Sequence, residues 1–184
     1  MNSNVSRRVA ESAFIARVPE AEPYVTHLRE QFDPSAKLGV PAHITLLYPF
    51  MSPELVDTVL VAQARAAVAA TRSFTFRLAT VGRFAGALYL APEPSAPFTE
   101  LTEHLARQFP AFPPYGGRHE DIVPHLTVAR GGKLEHSRAQ AELLATLSGG
   151  VACLCSEVVL IENASGRWQQ MHVFPLSPTG HAAG

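Results

Sequence analysis

Two short segments of the chain carry a histidine two residues before a threonine, each within an apolar run. The segment PAHITLLYPF contains His43 and Thr45, and the segment VPHLTVAR contains His125 and Thr127. Because side chains alternate between the two faces of a β-strand, each histidine is expected to lie on the same face as its threonine. Each segment therefore predicts an imidazole and a hydroxyl side by side on a rigid strand.

These residue types suit acid–base catalysis at a phosphodiester. Histidine titrates near neutral pH, so one imidazole can take a proton from an attacking hydroxyl or water while the other gives a proton to the leaving oxygen. Threonine hydroxyls can donate hydrogen bonds to phosphate oxygens, and an imidazolium stabilises the negative charge that develops there. Such a site needs no metal and no cofactor. In-line displacement places acid and base on opposite sides of phosphorus, so the two segments are expected to face each other.

The elements that must position these segments recur in the same order in each half of the chain. Apolar periodicity predicts strand, helix, His/Thr strand, helix and strand. The predictions for the first half are strands over residues 12–18, 42–48 and 73–81, and helices from Pro19 to about 32 and from Ser52 and Pro53 to about 70. Those for the second half are strands over 87–91, 124–130, 151–161 and 167–175, and helices over 97–109 and 135–147. The recurrence indicates an internal duplication, with two similar lobes facing each other across a groove.

The paired H-I-T-L and H-L-T-V motifs, their separation and the downstream VVLIENASGRWQQMHVFPL resemble the two-histidine phosphoesterase superfamily. That superfamily includes bacterial 2'-5' RNA ligase-like proteins and cyclic nucleotide phosphodiesterases, and the resemblance covers about residues 12–176. It implies an α+β fold of two pseudo-twofold-related lobes, each an antiparallel sheet with outer helices, around a central cleft. It also implies cleavage of 2',3'-cyclic phosphates to 2'-phosphates, or the reverse 2'-5' joining of RNA ends. The catalytic residues it implies are His43, Thr45, His125 and Thr127.

We therefore expect a single bilobal domain over residues 1–184, with lobes over about 12–84 and 85–176 and a disordered tail over 177–184. The expected substrate is a small nucleotide or an RNA end that carries a cyclic phosphate, and no cofactor or metal is expected. Two alternatives stay open. One is a non-catalytic domain that binds a phosphorylated nucleotide or RNA end, and the other is a metal-dependent hydrolase. The absence of HExxH and CxxC motifs argues against the second.

The composition limits the class of protein further. The 184 residues are 47% hydrophobic and 17% charged with a formal net charge of −1, which is typical of a globular domain and gives no basic surface for long nucleic acid. No apolar run is long enough for a membrane span, and the N-terminus lacks a secretory signal. We expect a cytoplasmic monomer with no membrane contact. Cys153 and Cys155 are interpreted as reduced core residues.

Two residues that follow the motifs are given structural roles. Tyr48 and Arg130 each lie five positions after a motif histidine, and this odd spacing predicts the opposite face of a regular strand. A packing or edge role is therefore favoured over contact with phosphate.

Several other residues near the second motif are candidates for a rim or a stacking contact. Arg118, His119 and Asp121 lie in the loop before it and could form a rim, although loop residues of these types are common. Tyr115 and Trp168 could stack on a base, with a core position favoured for Trp168. The remaining histidines lack paired spacing and are interpreted as surface or core residues: His27, His104, His136, His172 and His181.

Overall fold

The computed structural model describes residues 10–118, 121–147 and 149–178. His119, His181 and residues 179–184 of the predicted tail lie outside the described residues. The strands are β1 (Ser12–Arg17), β2 (His43–Leu47), β3 (Phe74–Phe84), β4 (Ala87–Glu93), β5 (Leu126–Arg130), β6 (Val151–Cys155), β7 (Glu157–Glu162) and β8 (Gln169–Pro175). The α-helices are α1 (Glu22–Phe32), α2 (Pro34–Lys37), α3 (Thr58–Ala69), α4 (Ala96–Gln108) and α5 (Lys133–Thr146).

The strands form two antiparallel sheets whose orders correspond, β2-β1-β7-β8 and β5-β4-β3-β6. In each sheet the strand of one His/Thr motif lies at the edge, beside the strand that opens that half of the chain. This arrangement confirms the α+β class with two antiparallel sheets and outer helices. The equivalent edge positions of β2 and β5 are what present the two motifs in similar surroundings.

Each sheet takes strands from both halves of the chain, so the predicted lobe boundary between residues 84 and 85 does not separate the sheets. β3 belongs to the first half but pairs with β4 and β6, whereas β7 and β8 complete the sheet of β1 and β2. The reason is the tight turn at Ala85 and Gly86, because two strands joined by so short a loop must pair with each other. Gly86 has a φ of +82°, which glycine adopts without strain.

The helices also cross between the sheets. Helix α1 follows β1 in the chain but packs with α5 on β5 of the other sheet. Helix α4 likewise follows β4 but packs on β2, with α3 beside it. Each sheet thus has one face covered by helices. Strand β1 shows the consequence for sequence, because Phe14 packs at 4.8 Å between ring centroids on Phe50 in the main core, while Ile15 lines a cavity on the opposite face. Because both faces of β1 contact other parts of the protein, its sequence is a continuous apolar run and does not alternate.

Three predicted element boundaries were wrong. The strand predicted over residues 151–161 is broken at Ser156 into β6 and β7, which lie in different sheets. Ser52 does not begin the long helix. It precedes a single 3-10 turn, and α3 begins after Asp57, whose carboxylate accepts a hydrogen bond from the Leu60 amide at 2.8 Å. The prediction of a disordered tail over 177–184 was wrong at its first residue, because the Ser177 amide donates to the Thr71 carbonyl at 3.0 Å.

The two cysteines occupy the core positions expected from the sequence. Cys153 and Cys155 lie on the same face of β6, and both are free and buried. Burial raises the pKa of each thiol to about 12. Both side chains therefore act as small apolar residues at neutral pH.

Candidate active site

A cavity of about 900 Å³ lies between the two sheets, and all four predicted site residues line it. His43 and Thr45 come from β2 in one sheet, whereas His125 and Thr127 come from β5 and the residue before it in the other. The structure thus brings both motifs to one cavity, with one pair contributed by each sheet.

The two imidazoles are oriented by the same backbone contact. His43 Nδ1 lies 2.7 Å from the Pro41 carbonyl oxygen, and His125 Nδ1 lies 2.7 Å from the Val123 carbonyl oxygen. A carbonyl oxygen can only accept, so Nδ1 carries the proton and donates in both rings. Nε2 is then the nitrogen that gains or loses a proton in each ring, because the tautomer is set by the contact at Nδ1.

Each motif strand carries one extra residue three positions after its histidine. Leu46 has no partner in β1 within the β1–β2 register, and Val128 has none in β4 within the β4–β5 register. An unpaired extra residue of this kind, a β-bulge, reverses the alternation of side chains beyond it. Tyr48 and Arg130 consequently turn toward the cavity, and both line it. The prediction that these two residues face away was wrong, because it assumed regular strands.

Arg130 places a positive charge inside the cavity. Its side chain is 56% exposed, and its Nε lies 3.6 Å from Asp33 Oδ1. Burial lowers the pKa of His125, and the nearby Arg130 charge lowers it further against the opposing effect of the Val123 hydrogen bond. Arg130 also acts on Tyr48 from the other sheet, where its charge opposes the rise in the phenol pKa that burial and Glu11 cause.

The surroundings of His43 are ionic. Arg29 and Asp33 form a pair that is almost fully buried, with side chains 2% and 1% exposed and Arg29 Nη2 3.1 Å from Asp33 Oδ2. Burial lowers the pKa of His43 to about 4, the Arg29 charge lowers it as well, and Asp33 opposes both. This pair was not predicted from the sequence. The one feature of the sequence that could have indicated it is the spacing of four residues between Arg29 and Asp33 at the end of a predicted helix.

The surroundings of His125 are aromatic. The Phe84 ring meets the imidazole edge-on at 5.0 Å between centroids, Tyr89 lies at 5.4 Å, and Tyr115 stacks on it at 6.4 Å and 21°. Tyr89 approaches the backbone of its cross-strand partner Gly82 so closely that a β-carbon there would lie 2.3 Å from the ring. These rings desolvate the imidazole, which is the main cause of its lowered pKa. Phe84 and Tyr89 were not predicted from the sequence.

The loop before the second motif contributes several residues to the cavity wall. Tyr115 lines the cavity and has a φ of +54°, a left-handed conformation that is strained for a bulky side chain. Gly116 and Gly117 continue the left-handed run with φ of +64° and +70°. Arg118 and Asp121 also line the cavity, consistent with the predicted rim.

Trp168 is half-buried and lines the cavity from the sheet that carries His43. One side of it packs on a small apolar cluster that includes Ile15 and Val40, and its ring meets Tyr48 edge-on at 6.1 Å between centroids. The residue therefore combines the predicted core contact with exposure to the site.

Two kinds of feature are absent from residues 10–118, 121–147 and 149–178. No group of three or more histidine, cysteine, aspartate or glutamate residues there could hold a metal ion. No helix in these ranges has the length and apolar character needed to cross a membrane.

Two corresponding antiparallel sheets, each bringing a His–Thr pair to a shared cavity, define a bilobal α+β protein of the two-histidine phosphoesterase class. Comparison with known families gives the same class. A model described as the 2'-5' RNA ligase superfamily matches residues 18–167, and the chain belongs to that superfamily.

Solved structures share the fold across most of the chain. E. coli LigT in complex with 3'-AMP aligns with a TM-score of 0.56 at 16% identity, covering 90% of this chain and 97% of LigT. The protein TT0787 of Thermus thermophilus aligns with a TM-score of 0.60 at 17% identity, covering 92% and 100% of the two chains. At these identities the likeness establishes the fold alone.

Curated relatives match a shorter part of the sequence. A protein of Bacillus cytotoxicus that carries the name of a phosphoesterase is 35% identical over 106 residues, and the match spans 56% of this chain and 59% of the relative. A Bacillus cereus protein with a similar name is 32% identical over 112 residues, with the same shares covered.

Proposed function

We propose that the protein is a metal-independent phosphoesterase that hydrolyses 2',3'-cyclic phosphodiesters, at RNA ends or on small nucleotides, to 2'-phosphates. One observation carries the proposal: two His–Thr pairs from different sheets line one cavity, and both imidazoles use Nδ1 for the same backbone contact. Both rings therefore have Nε2 as the proton-transfer atom. Membership of the superfamily and the phosphoesterase names of the relatives support an enzymatic role.

In the proposed reaction His43 is the general base and His125 is the general acid. Water attacks phosphorus and gives a proton to His43 Nε2, the bond from phosphorus to O3' breaks, and His125 Nε2–H gives its proton to O3'. The products are a 2'-phosphate and a free 3'-hydroxyl, and solvent returns the proton from His43 to His125. The assignment rests on the pKa of His43, which burial and then the Arg29 charge lower to about 4, so that an imidazolium is disfavoured there before substrate binds. The negative charge of a bound phosphodiester raises the pKa of His125 and so favours its acid form.

The non-bridging phosphate oxygens would be bound by Thr45, Thr127 and Arg130. The threonines share a strand face with their histidines, and the Val128 bulge turns Arg130 into the same cavity. A guanidinium donates to two phosphate oxygens at once, which neutral donors cannot do with comparable strength. Arg130 thus binds the negative charge that the phosphodiester already carries in the ground state and keeps that contact in the transition state.

The aromatic walls of the cavity favour a nucleoside as the rest of the substrate. Tyr115 lies on the His125 side, and Trp168 with Tyr48 lies on the His43 side. Base stacking on such rings tolerates different bases. LigT structures hold 3'-AMP in one case and NADP+ in another, and we propose a nucleotide ligand for this chain as well.

The test is a panel of four nucleoside 2',3'-cyclic monophosphates, with and without EDTA, with products identified by 31P NMR. We expect 2'-phosphates in both conditions. His43→Ala and His125→Ala should each lower turnover by at least about a hundredfold, while His172→Ala, a histidine of β8 outside the cavity lining, should keep it. Full activity of His43→Ala would refute the proposal. Loss of activity with EDTA would favour a metal-dependent hydrolase, and binding without turnover would favour a non-catalytic domain.

The related 2'-5' joining of RNA ends would use the same groups, because a 5'-hydroxyl can take the place of water as the nucleophile while the bond from phosphorus to O3' breaks. Paired RNA fragments, one ending in a 2',3'-cyclic phosphate and one beginning with a 5'-hydroxyl, test for 2'-5' joining. A product resistant to a 3'-5'-specific nuclease is the expected result, and its absence at high fragment concentration would limit the activity to hydrolysis.

A further inference from the structure

The buried carboxylate of Asp33 lies at the point where the two halves of the site meet. Asp33 ends α1 and caps α2, and its side chain is 1% exposed. Oδ2 accepts from Arg29 Nη2 at 3.1 Å and from Arg29 Nε at 3.3 Å. Oδ1 accepts from the Ser35 amide at 3.1 Å and lies 3.6 Å from Arg130 Nε. One carboxylate therefore serves two guanidinium groups that come from different elements.

The position of this contact on Arg130 matters for the chemistry of the site. Asp33 faces the Nε end of the guanidinium, so the two Nη groups remain for a phosphate. Among the residues that the structure describes, Asp33 is the carboxylate within ion-pair distance of Arg130. An arginine that is half exposed and otherwise free to rotate would lose much of its binding energy to ordering, and a fixed partner avoids that loss.

The chain path gives Asp33 a second connection. Helix α1, which Asp33 ends, packs on β5, and the segment after Asp33 leads through α2 into β2 and His43. The Asp33–Arg130 contact thus links the approach to one motif with the strand of the other.

We propose that Asp33 is a positioning residue that holds the Arg130 guanidinium at the phosphate subsite; this inference rests on the proposed phosphoesterase function. Asp33 does not touch substrate. It acts through Arg130, with Arg29 supplying a second positive charge beside the buried carboxylate.

The test is a double-mutant cycle between Asp33→Asn and Arg130→Met on a nucleoside 2',3'-cyclic monophosphate. Asparagine keeps the shape of the side chain and its Oδ1 acceptor for the Ser35 amide but removes the charge. We expect Asp33→Asn to raise KM by about tenfold with a smaller change in kcat, because the charge-assisted contact of Arg130 is weakened. In the Arg130→Met background the same substitution should change KM less than twofold by the logic of such cycles.

The matched control is Glu157→Gln, which breaks the ion pair with Arg17 outside the cavity and should leave KM unchanged. An equal effect of Asp33→Asn in the wild-type and Arg130→Met backgrounds would overturn the proposal, since Asp33 would then act through the fold. If the wild type turns over none of the cyclic phosphates, the proposed function fails on its own. The cycle is then run on the Kd for inorganic phosphate, so that the two failures are distinguished.

A measurement on the unmodified protein covers the case in which Asp33→Asn does not fold. Relaxation of the arginine 15Nε nuclei gives an order parameter that measures how strongly the motion of each guanidinium is restricted. We expect an order parameter near 0.8 for Arg130, as for rigid groups, and a value below about 0.6 for Arg107 in its exposed helix pair. Equal mobility of the two arginines would overturn the proposal.

Discussion

The two halves of the cavity share their backbone geometry and differ in what surrounds the imidazole. Each half has an Nδ1 contact to the carbonyl two residues earlier and a bulge three residues after the histidine. His43 then lies near a buried ion pair, whereas His125 lies among aromatic rings. Duplicated backbone therefore presents two similar imidazoles, and the neighbouring side chains make them unequal.

The difference teaches how one motif can serve two opposite roles. Acid and base catalysis by the same residue type require that one ring be neutral and the other protonated when substrate is bound. Burial and then the Arg29 charge lower the pKa of His43 to about 4, whereas burial lowers the pKa of His125, the Arg130 charge adds to that effect, and an anionic ligand at the phosphate subsite opposes it. The ionic half is thus suited to the base and the aromatic half to the acid.

The largest expected effect comes from replacing each histidine by alanine. Each variant is compared on two substrates that differ in their leaving group. On an ordinary cyclic phosphate His43→Ala and His125→Ala should each lower kcat by about 10²- to 10⁴-fold. A cyclic phosphorothiolate with sulfur at the 3' position leaves as a thiolate and needs no proton from an acid. His125→Ala should recover most of its activity on that substrate, and His43→Ala should not. Recovery by His43→Ala instead would reverse the two roles.

The next effect tests the aromatic half without touching a site residue. Gly82→Ala places a methyl group against the Tyr89 ring, which must move away from its place beside His125. We expect the free energy of unfolding to fall by about 1–3 kcal/mol and kcat to fall with it. Urea unfolding and steady-state kinetics measure the two changes.

The matched control for that substitution is Gly82→Ala combined with Tyr89→Ala. The smaller residue makes room for the methyl group, so adding Gly82→Ala to Tyr89→Ala should cost little more stability. Equal destabilisation in both backgrounds would mean that the glycine is required for the backbone of β3 and not for the tyrosine.

Sequence was sufficient for the parts of the site that depend on local spacing. His43 with Thr45, and His125 with Thr127, were found because residue type and a period of two suffice to place such pairs on one face of a strand. The order of elements predicted two similar lobes, and the family resemblance carried by the same motifs implied the α+β class. The placement of the two pairs uses only information contained within a few neighbouring residues.

The parts that sequence did not predict depend on pairing between distant segments. The bulges at Leu46 and Val128 exist only in the register with β1 and β4, and without them Arg130 was placed on the wrong face. The exchange of β3 and β7 between the sheets depends likewise on the hairpin at Gly86. Asp33 could not be identified because its partner Arg130 lies far along the chain.

A smaller effect concerns pH. In the proposed reaction kcat/KM requires His125 of the free enzyme to be protonated, so it should fall as pH rises through the pKa of His125, which burial and then Arg130 hold below 6.5. Arg130→Met removes the positive charge, which raises the pKa and should move the alkaline limb to higher pH. The acid limb reflects the pKa of His43, which is about 4, and Arg130→Met should shift this limb less than the alkaline limb.

The pH profile of kcat/KM measures both limbs. Arg77→Met serves as the control because Arg77 is an exposed residue whose side chain contacts the Gly149 carbonyl and does not line the cavity. An alkaline limb that stays in place or moves to lower pH in Arg130→Met would contradict the electrostatic contact between Arg130 and His125.

The smallest expected effect sharpens the comparison at the position five residues after each histidine, which is Arg130 in one half and Tyr48 in the other. Burial and then the Glu11 hydrogen bond raise the pKa of Tyr48, so its hydroxyl stays protonated and donates to Glu11 at 2.9 Å instead of serving the phosphate. Tyr48→Phe keeps the ring beside Trp168 and should change kcat/KM by less than about twofold and stability by less than about 0.5 kcal/mol. Steady-state kinetics and urea unfolding, compared with Arg130→Met, decide the matter. A loss as large as that of Arg130→Met would mean that the phenol contacts phosphate, and that the two halves divide the binding of the anion equally.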